Sequence, residues 1–152
     1  MCVLCSRLKE PDPFRIAELE MSVVILGDNQ GCPGWCTLIL RRHVEHLDEL
    51  SVQEQAAVFA EVARVARAVR MCFPDAGEGG DPVRINYECL GNVAAHVHWH
   101  VIPRHAGDPS LRATVWGWSA EQLRGSMSPP QRAELAGRLR GLLHDASGEI
   151  SR

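Results

Sequence analysis

Four of the seven histidines in this 152-residue chain, His96, His98, His100 and His105, fall within the stretch HVHWHVIPRH. The first three alternate with Val97, Trp99 and Val101. On a β-strand, side chains two apart share a face, so the spacing predicts three imidazoles on one side and three apolar groups on the other. Imidazole near neutral pH serves as nucleophile, hydrogen-bond donor, general acid or metal ligand. At ~3.3 Å per residue, the α-carbons of His96 and His100 lie roughly 13 Å apart. With Zn–N bonds of ~2.0–2.1 Å, a neighbouring pair can share one ion and all three cannot. Unshared imidazoles suit an anion whose charge shifts during reaction. Phosphorus is the natural centre, attacked by one neutral ring while N–H neighbours hold the equatorial oxygens. The plain alternative, a decorated surface strand, is disfavoured because three histidines in register by chance are unusual.

A second group with metal chemistry stands at the start of the chain, where Cys2 and Cys5 form a CxxC pair. Such a pair is half a zinc site, a redox couple or two unrelated cysteines. A tetrahedral zinc needs two further nitrogen or sulfur ligands.

These residues need a scaffold. Glu20–Leu26 is β-branched and apolar and runs into the turn-rich GDNQGCPG, which predicts a strand, with Trp35–Leu40 as its antiparallel partner. Val83–Tyr87 and His96–Ile102 read as two more strands. Ser51-Val52-Gln53-Glu54 is a capping box that opens a helix with Val58, Val62, Val65 and Val69 on one face, barred from continuing by Pro74. PDAGEGGDP (74–82) is a loop by composition. Ser128-Pro129-Pro130-Gln131 opens a last helix over about 129–144, and a frayed tail is expected at about 145–152. The pattern predicts one domain over 1–152, of α+β class, built on an antiparallel sheet of about five strands with two main helices.

Composition narrows the partners. A net charge of −3 argues against a broad nucleic-acid footprint. No apolar run approaches the ~20 residues of a membrane span, and the N-terminus lacks the apolar core of a signal peptide. The expectation is a cytoplasmic protein with reduced cysteines, no nucleic-acid partner and no membrane. Arg41, Arg42 and Arg104 read as solvated cations, Trp99 as core, and Cys72 and Cys89 as small buried groups.

HVHWHVI fits the His-x-His-x-His-x-x pattern of the histidine triad (HIT) superfamily of nucleotide hydrolases and transferases. The resemblance extends through TLILRRHVEHLDELS, NYECLGNVAAH and VIPRHAGDP, and covers about Cys2 to Trp116. It implies a HIT-like fold and a bacterial branch described as dinucleoside-polyphosphate hydrolases. It makes His98 the nucleophile that forms a nucleotidyl-histidine intermediate at an α-phosphorus, and His100 the residue that binds phosphate oxygens and steadies the leaving group. Asn92 stands where members usually carry glutamine, and Val93 where many carry Ser or Thr. Asn86 matches a family asparagine near the phosphate, and Asp28 and Asn29 the turn that often holds the ribose. The resemblance also implies a structural zinc on Cys2, Cys5, His43 and His96, with His46 competing for the place of His43 and Cys32 or Cys36 as further competitors. It implies no catalytic metal, an adenine nucleotide substrate, and a homodimer in many members. The activity implied is release of a nucleoside monophosphate from a dinucleoside polyphosphate or a nucleoside phosphoramidate. The rivals are a nucleotidyltransferase or phosphorylase using the same intermediate, a nucleotide binder with little turnover, and a metal-dependent hydrolase.

Overall fold

The computed structural model describes residues 2–73 and 82–145. The loop expected at 74–82 and the tail expected at 145–152 lie outside these residues, apart from Pro82 and Asp145. Five antiparallel strands form one sheet: β1 (Arg15–Glu18), β2 (Ser22–Leu26), β3 (Cys36–Leu40), β4 (Arg84–Glu88) and β5 (His98–Arg104), in the spatial order β1-β2-β3-β5-β4. The helices are α1 (Val3–Lys9), α2 (Val52–Met71), α3 (Ala120–Arg124) and α4 (Pro129–Asp145).

The two long helices cover one face of the sheet. Val58, Val62, Val65 and Val69 of α2 and Leu135, Leu139 and Leu143 of α4 pack on Val24, Leu38 and Val101 in a single apolar cluster. The box at the start of α2 closes both ways: the Glu54 amide donates to Ser51 Oγ at 3.2 Å, and the Ser51 amide donates to the Glu54 carboxylate at 2.8 Å. Glu61, buried in the middle of α2, ties the helix to the sheet by accepting from the Met21 amide at 2.8 Å and the Ser22 hydroxyl at 2.5 Å.

The opposite face is covered in part, by the segment after β5, whose Val115 packs with Trp35 and Ile102, and at one end by α1. There α1 lays Leu4 and Leu8 on Val23, Ile25 and Ile39. β2 and β3 are therefore buried on both faces, which is why their sequences read as continuous apolar runs. Neither α1 nor β1 is foreshadowed by a period. α1 has seven residues, and β1 (RIAE) carries a bulge between Arg15 and Ala17.

β5 starts at His98, two residues later than the alternation predicts. Upstream the chain turns, with the His96 amide donating to the Ala94 carbonyl at 2.8 Å. Val97 and Val101 still enter the helix-side core, with Trp99 against Phe59 at a ring separation of 5.1 Å. Among the described residues, no helix is long and apolar enough to cross a membrane.

Candidate functional site

Register decides what stands beside the histidines. Across β3, Ile39 faces His98 and Thr37 faces His100, and across β4, Glu88 faces His100. Cross-strand partners share a face, so both rings stand on the side opposite α2 and α4. They line a cleft of about 170 Å³ with Thr37, Asp28, Asn29 and Arg7, the last contributed by α1. The turn residues Asp28 and Asn29 line the same cleft as His98 and His100. A larger depression of about 400 Å³, around Gln30, Trp118 and Met127, is lined by no histidine, cysteine or carboxylate.

The two rings are held in opposite tautomers. His98 Nδ1 lies 2.6 Å from the His96 carbonyl oxygen, which only accepts, so Nδ1 carries the proton and Nε2 the lone pair. His100 Nδ1 lies 3.2 Å from Trp35 Nε1, which only donates, so Nδ1 carries the lone pair and Nε2 the proton. Thr37 Oγ1 stands farther from the same nitrogen, at 3.5 Å. Burial, and the neighbouring His98, push His100 down to about 4, so its neutral form persists through physiological pH. The rings meet nearly edge to face with centroids 5.0 Å apart. Trp116 adds a second indole edge 5.3 Å from His100, and its N–H donates to the Glu88 carboxylate. One bare nitrogen and one N–H therefore serve the same cleft, a pairing suited to nucleophilic attack beside a stabilised oxyanion.

Asp28 is clamped from both ends of the chain. Arg7 donates to both its oxygens at 2.6 and 3.1 Å, and Arg132 of α4 lies 3.4 Å from one of them. The Arg7 guanidinium holds this carboxyl below the usual range, so it presents acceptors to the cleft. The Asn86 side chain shares the histidine face but lies 3.5 Å from a buried Arg104 guanidinium nitrogen, and Asn92 is exposed on the loop before β5; neither lines the cleft. Val93 on that loop is fully exposed.

His96 has left the row. It is 1% exposed, and its Nε2 donates to the Leu40 carbonyl at 2.9 Å, which leaves the Nδ1 lone pair facing Cys2 Sγ at 3.4 Å, Cys5 Sγ at 3.5 Å and His43 Nδ1 at 3.4 Å. Cys5 Sγ lies 3.4 Å from His43 Nδ1, and His43 Nε2 is 3.6 Å from Glu45. All four donor atoms fall within 4.8 Å of one another. A tetrahedral ion with ~2.3 Å bonds to sulfur and ~2.0–2.1 Å bonds to nitrogen sets its donors roughly 3.3–3.8 Å apart, so the set fits zinc. Hydrogen bonding, first from the Cys5 backbone, pulls the Cys2 thiol down to about 6, while burial and the neighbouring Cys2 raise Cys5. His46, Cys32 and Cys36 stand outside this group.

Two expectations need correction. Arg104 is no solvated cation: it is buried against Asp108 at 2.7 Å, with hydrogen bonds to the Ala113 and Ser110 carbonyls at 3.0 and 2.5 Å. Cys89 is exposed, because β4 ends one residue earlier and the chain leaves the sheet. Trp35, the partner of His100, carried no sequence signal beyond its place at the start of a strand. An indole at a strand's start reads as core until the facing residue is known.

The HIT-domain signature matches residues 9–107. The chain belongs to the HIT family. A histidine triad protein from Bradyrhizobium japonicum superposes with a TM-score of 0.74 at 27% identity, covering 93% of this chain and 98% of that one. A Zn-bound histidine triad family protein from Mycobacterium smegmatis is 25% identical, with a TM-score of 0.65 over 96% of this chain and 95% of that one. The adenylylsulfatase HINT3 of Arabidopsis thaliana is 27% identical over 81% of this HIT protein and 58% of its own length.

Proposed function

We propose that this HIT protein is a nucleotide hydrolase that cleaves at an α-phosphate through a nucleotidyl-histidine intermediate and releases a nucleoside monophosphate. The observation that carries this reading is the tautomer pair: His98 Nε2 is bare and His100 Nε2 is protonated in one cleft. His98 Nε2 attacks phosphorus, a P–N bond forms, and the bond from phosphorus to the leaving group breaks, its electron pair departing with that group. His100 donates to a phosphoryl oxygen as charge accumulates there. Water then attacks phosphorus, the P–N pair returns to Nε2, and the proton of water passes to solvent. Asp28, with Asn29, takes the ribose hydroxyls, and Asn86 and Asn92 remain outside this assignment. An adenine nucleotide is the substrate suggested by the relative named as an adenylylsulfatase.

Zinc on Cys2, Cys5, His43 and His96 is the companion proposal, supported by the donor spacing and by the Zn-bound relative. Four protein ligands leave no open position, so the ion would act as a staple between α1 and the start of β5. Its removal would loosen the wall that carries Leu4 and Arg7.

The test is chromatographic analysis of nucleotides released from dinucleoside polyphosphates, a nucleoside phosphosulfate and a nucleoside phosphoramidate, with wild type and His98→Ala. Monophosphate release that drops roughly 10³-fold or more in the variant supports the nucleophile. Release that survives His98→Ala would overturn it.

A further inference from the structure

The hydrolase reading leaves open how the departing group obtains a proton, and the surroundings of His100 bear on that. A ring that relays a proton needs a partner at its far nitrogen that can take or supply one. Here that partner is Trp35 Nε1, 3.2 Å from Nδ1, and an indole N–H has no accepting lone pair and does not titrate in water. Trp35 is 2% exposed, fixed between Cys32, Ile102 and Val115, so the indole cannot easily turn away. A proton placed on Nδ1 would point at the indole N–H. The imidazolium is disfavoured by this contact and by burial alike. The other polar groups near His100 do not replace it. His98 has its Nδ1 proton committed to the His96 carbonyl, Glu88 accepts from Trp116, and Asp28 is held by Arg7 across the cleft.

We infer that Trp35 is a positioning residue that holds His100 as an Nε2–H donor with no proton to relay, and that the cleft therefore favours nucleotides whose leaving group departs as an anion, phosphoanhydrides and mixed anhydrides ahead of amides. The inference rests on the hydrolase reading for its second half only. An anhydride oxygen leaves with its electron pair as a stable phosphate or sulfate anion. An amine needs a proton as it leaves, and neither His100 nor Trp35 supplies one.

Two measurements test this. The first is the tautomer of His100, read from nitrogen–proton correlation spectra of histidine-labelled protein near neutral pH. Wild type gives the Nε2–H form, and so does Thr37→Val, which takes away the other group near Nδ1. In Trp35→Phe the ring redistributes toward the Nδ1–H form, because Thr37 Oγ1 can then accept. An Nδ1–H signal in wild type, or an unchanged spectrum in Trp35→Phe, overturns the positioning role, and the wild-type and Thr37→Val spectra decide it even where Trp35→Phe does not fold. The second is kcat/KM for nucleoside 5′-phosphate aryl esters of graded leaving-group acidity, beside an aliphatic phosphoramidate. Without proton delivery, the rate falls by about 10²-fold or more from the most to the least acidic phenol. A flat series overturns the leaving-group inference, as does a series that becomes steeper in Glu88→Gln, since Glu88 would then be the acid. Absence of turnover on every substrate, equal to that of His98→Ala, refutes both the hydrolase reading and the leaving-group half, while the spectra still decide the role of Trp35.

Discussion

His100 titrates far from its ordinary value because it is buried beside a second imidazole, and that has a consequence for stability. In the unfolded chain it takes a proton near ~6.5, whereas in the fold it resists until about 4. Above ~6.5 both states are neutral and His100 contributes no pH dependence. As pH falls through the window from ~6.5 to about 4, the unfolded state alone gains the proton, and stability drops by about 3 kcal/mol. Denaturant titrations across this window with wild type and His100→Asn should therefore differ in slope, the variant being the flatter. Parallel slopes would contradict the burial argument. The residue scale is also where the sequence reading was sharpest and where it slipped. Alternation told which residues face the cleft from His98 onward, since side-chain period is a property of the strand itself. It misplaced His96, because a turn closed by the Ala94 carbonyl makes the strand begin one histidine late.

At the scale of elements, α1 is the piece least able to stand alone. A helix of seven residues is marginal in water, so its place depends on Leu4 and Leu8 against the sheet and on its two cysteines. Cys2→Ser with Cys5→Ser should abolish stoichiometric zinc in metal analysis, lower the melting temperature, and remove hydrogen-exchange protection from residues 3–9 while α2 keeps its own. Retention of one zinc per chain would refute the ligand assignment. α4 depends on apolar contact instead: Leu139→Ala, at 1% exposure, should cost about 2–5 kcal/mol in denaturant midpoint analysis. Removing the cap with Ser51→Ala should cost about 1 kcal/mol. α2 was legible because its cap and its valine stripe are local signals. α1 and β1 were not, since short segments that take their order from a neighbouring surface leave no period of their own. The CxxC pair signalled half of a candidate metal cluster, but its partners His43 and His96 came into view through family resemblance, because residues on separate elements have no fixed spacing.

At the scale of the molecule, the sheet has one face packed under α2 and α4 and the histidine cleft on the other, with the segment after β5 folded over part of that second face. That segment is pinned by the Arg104–Asp108 pair, both side chains 3% exposed, and it carries Trp116 to the edge of His100. Removing one partner of a buried pair strands the other charge, so Asp108→Asn should cost about 3–5 kcal/mol and release Trp116, seen as a change in its fluorescence. A variant as stable as wild type would show the pair to be dispensable. The four thiol and imidazole donors raise a different matter, that of timing. Cys2 and His96 are 94 residues apart, so during synthesis the cysteines leave the ribosome long before their partner histidine exists. The cluster is thus a latch that closes late, after the sheet has brought β5 alongside β3. A metal held there cannot steer the early steps of folding. It can only slow the reopening, and closing so long a loop is where such a latch gains most.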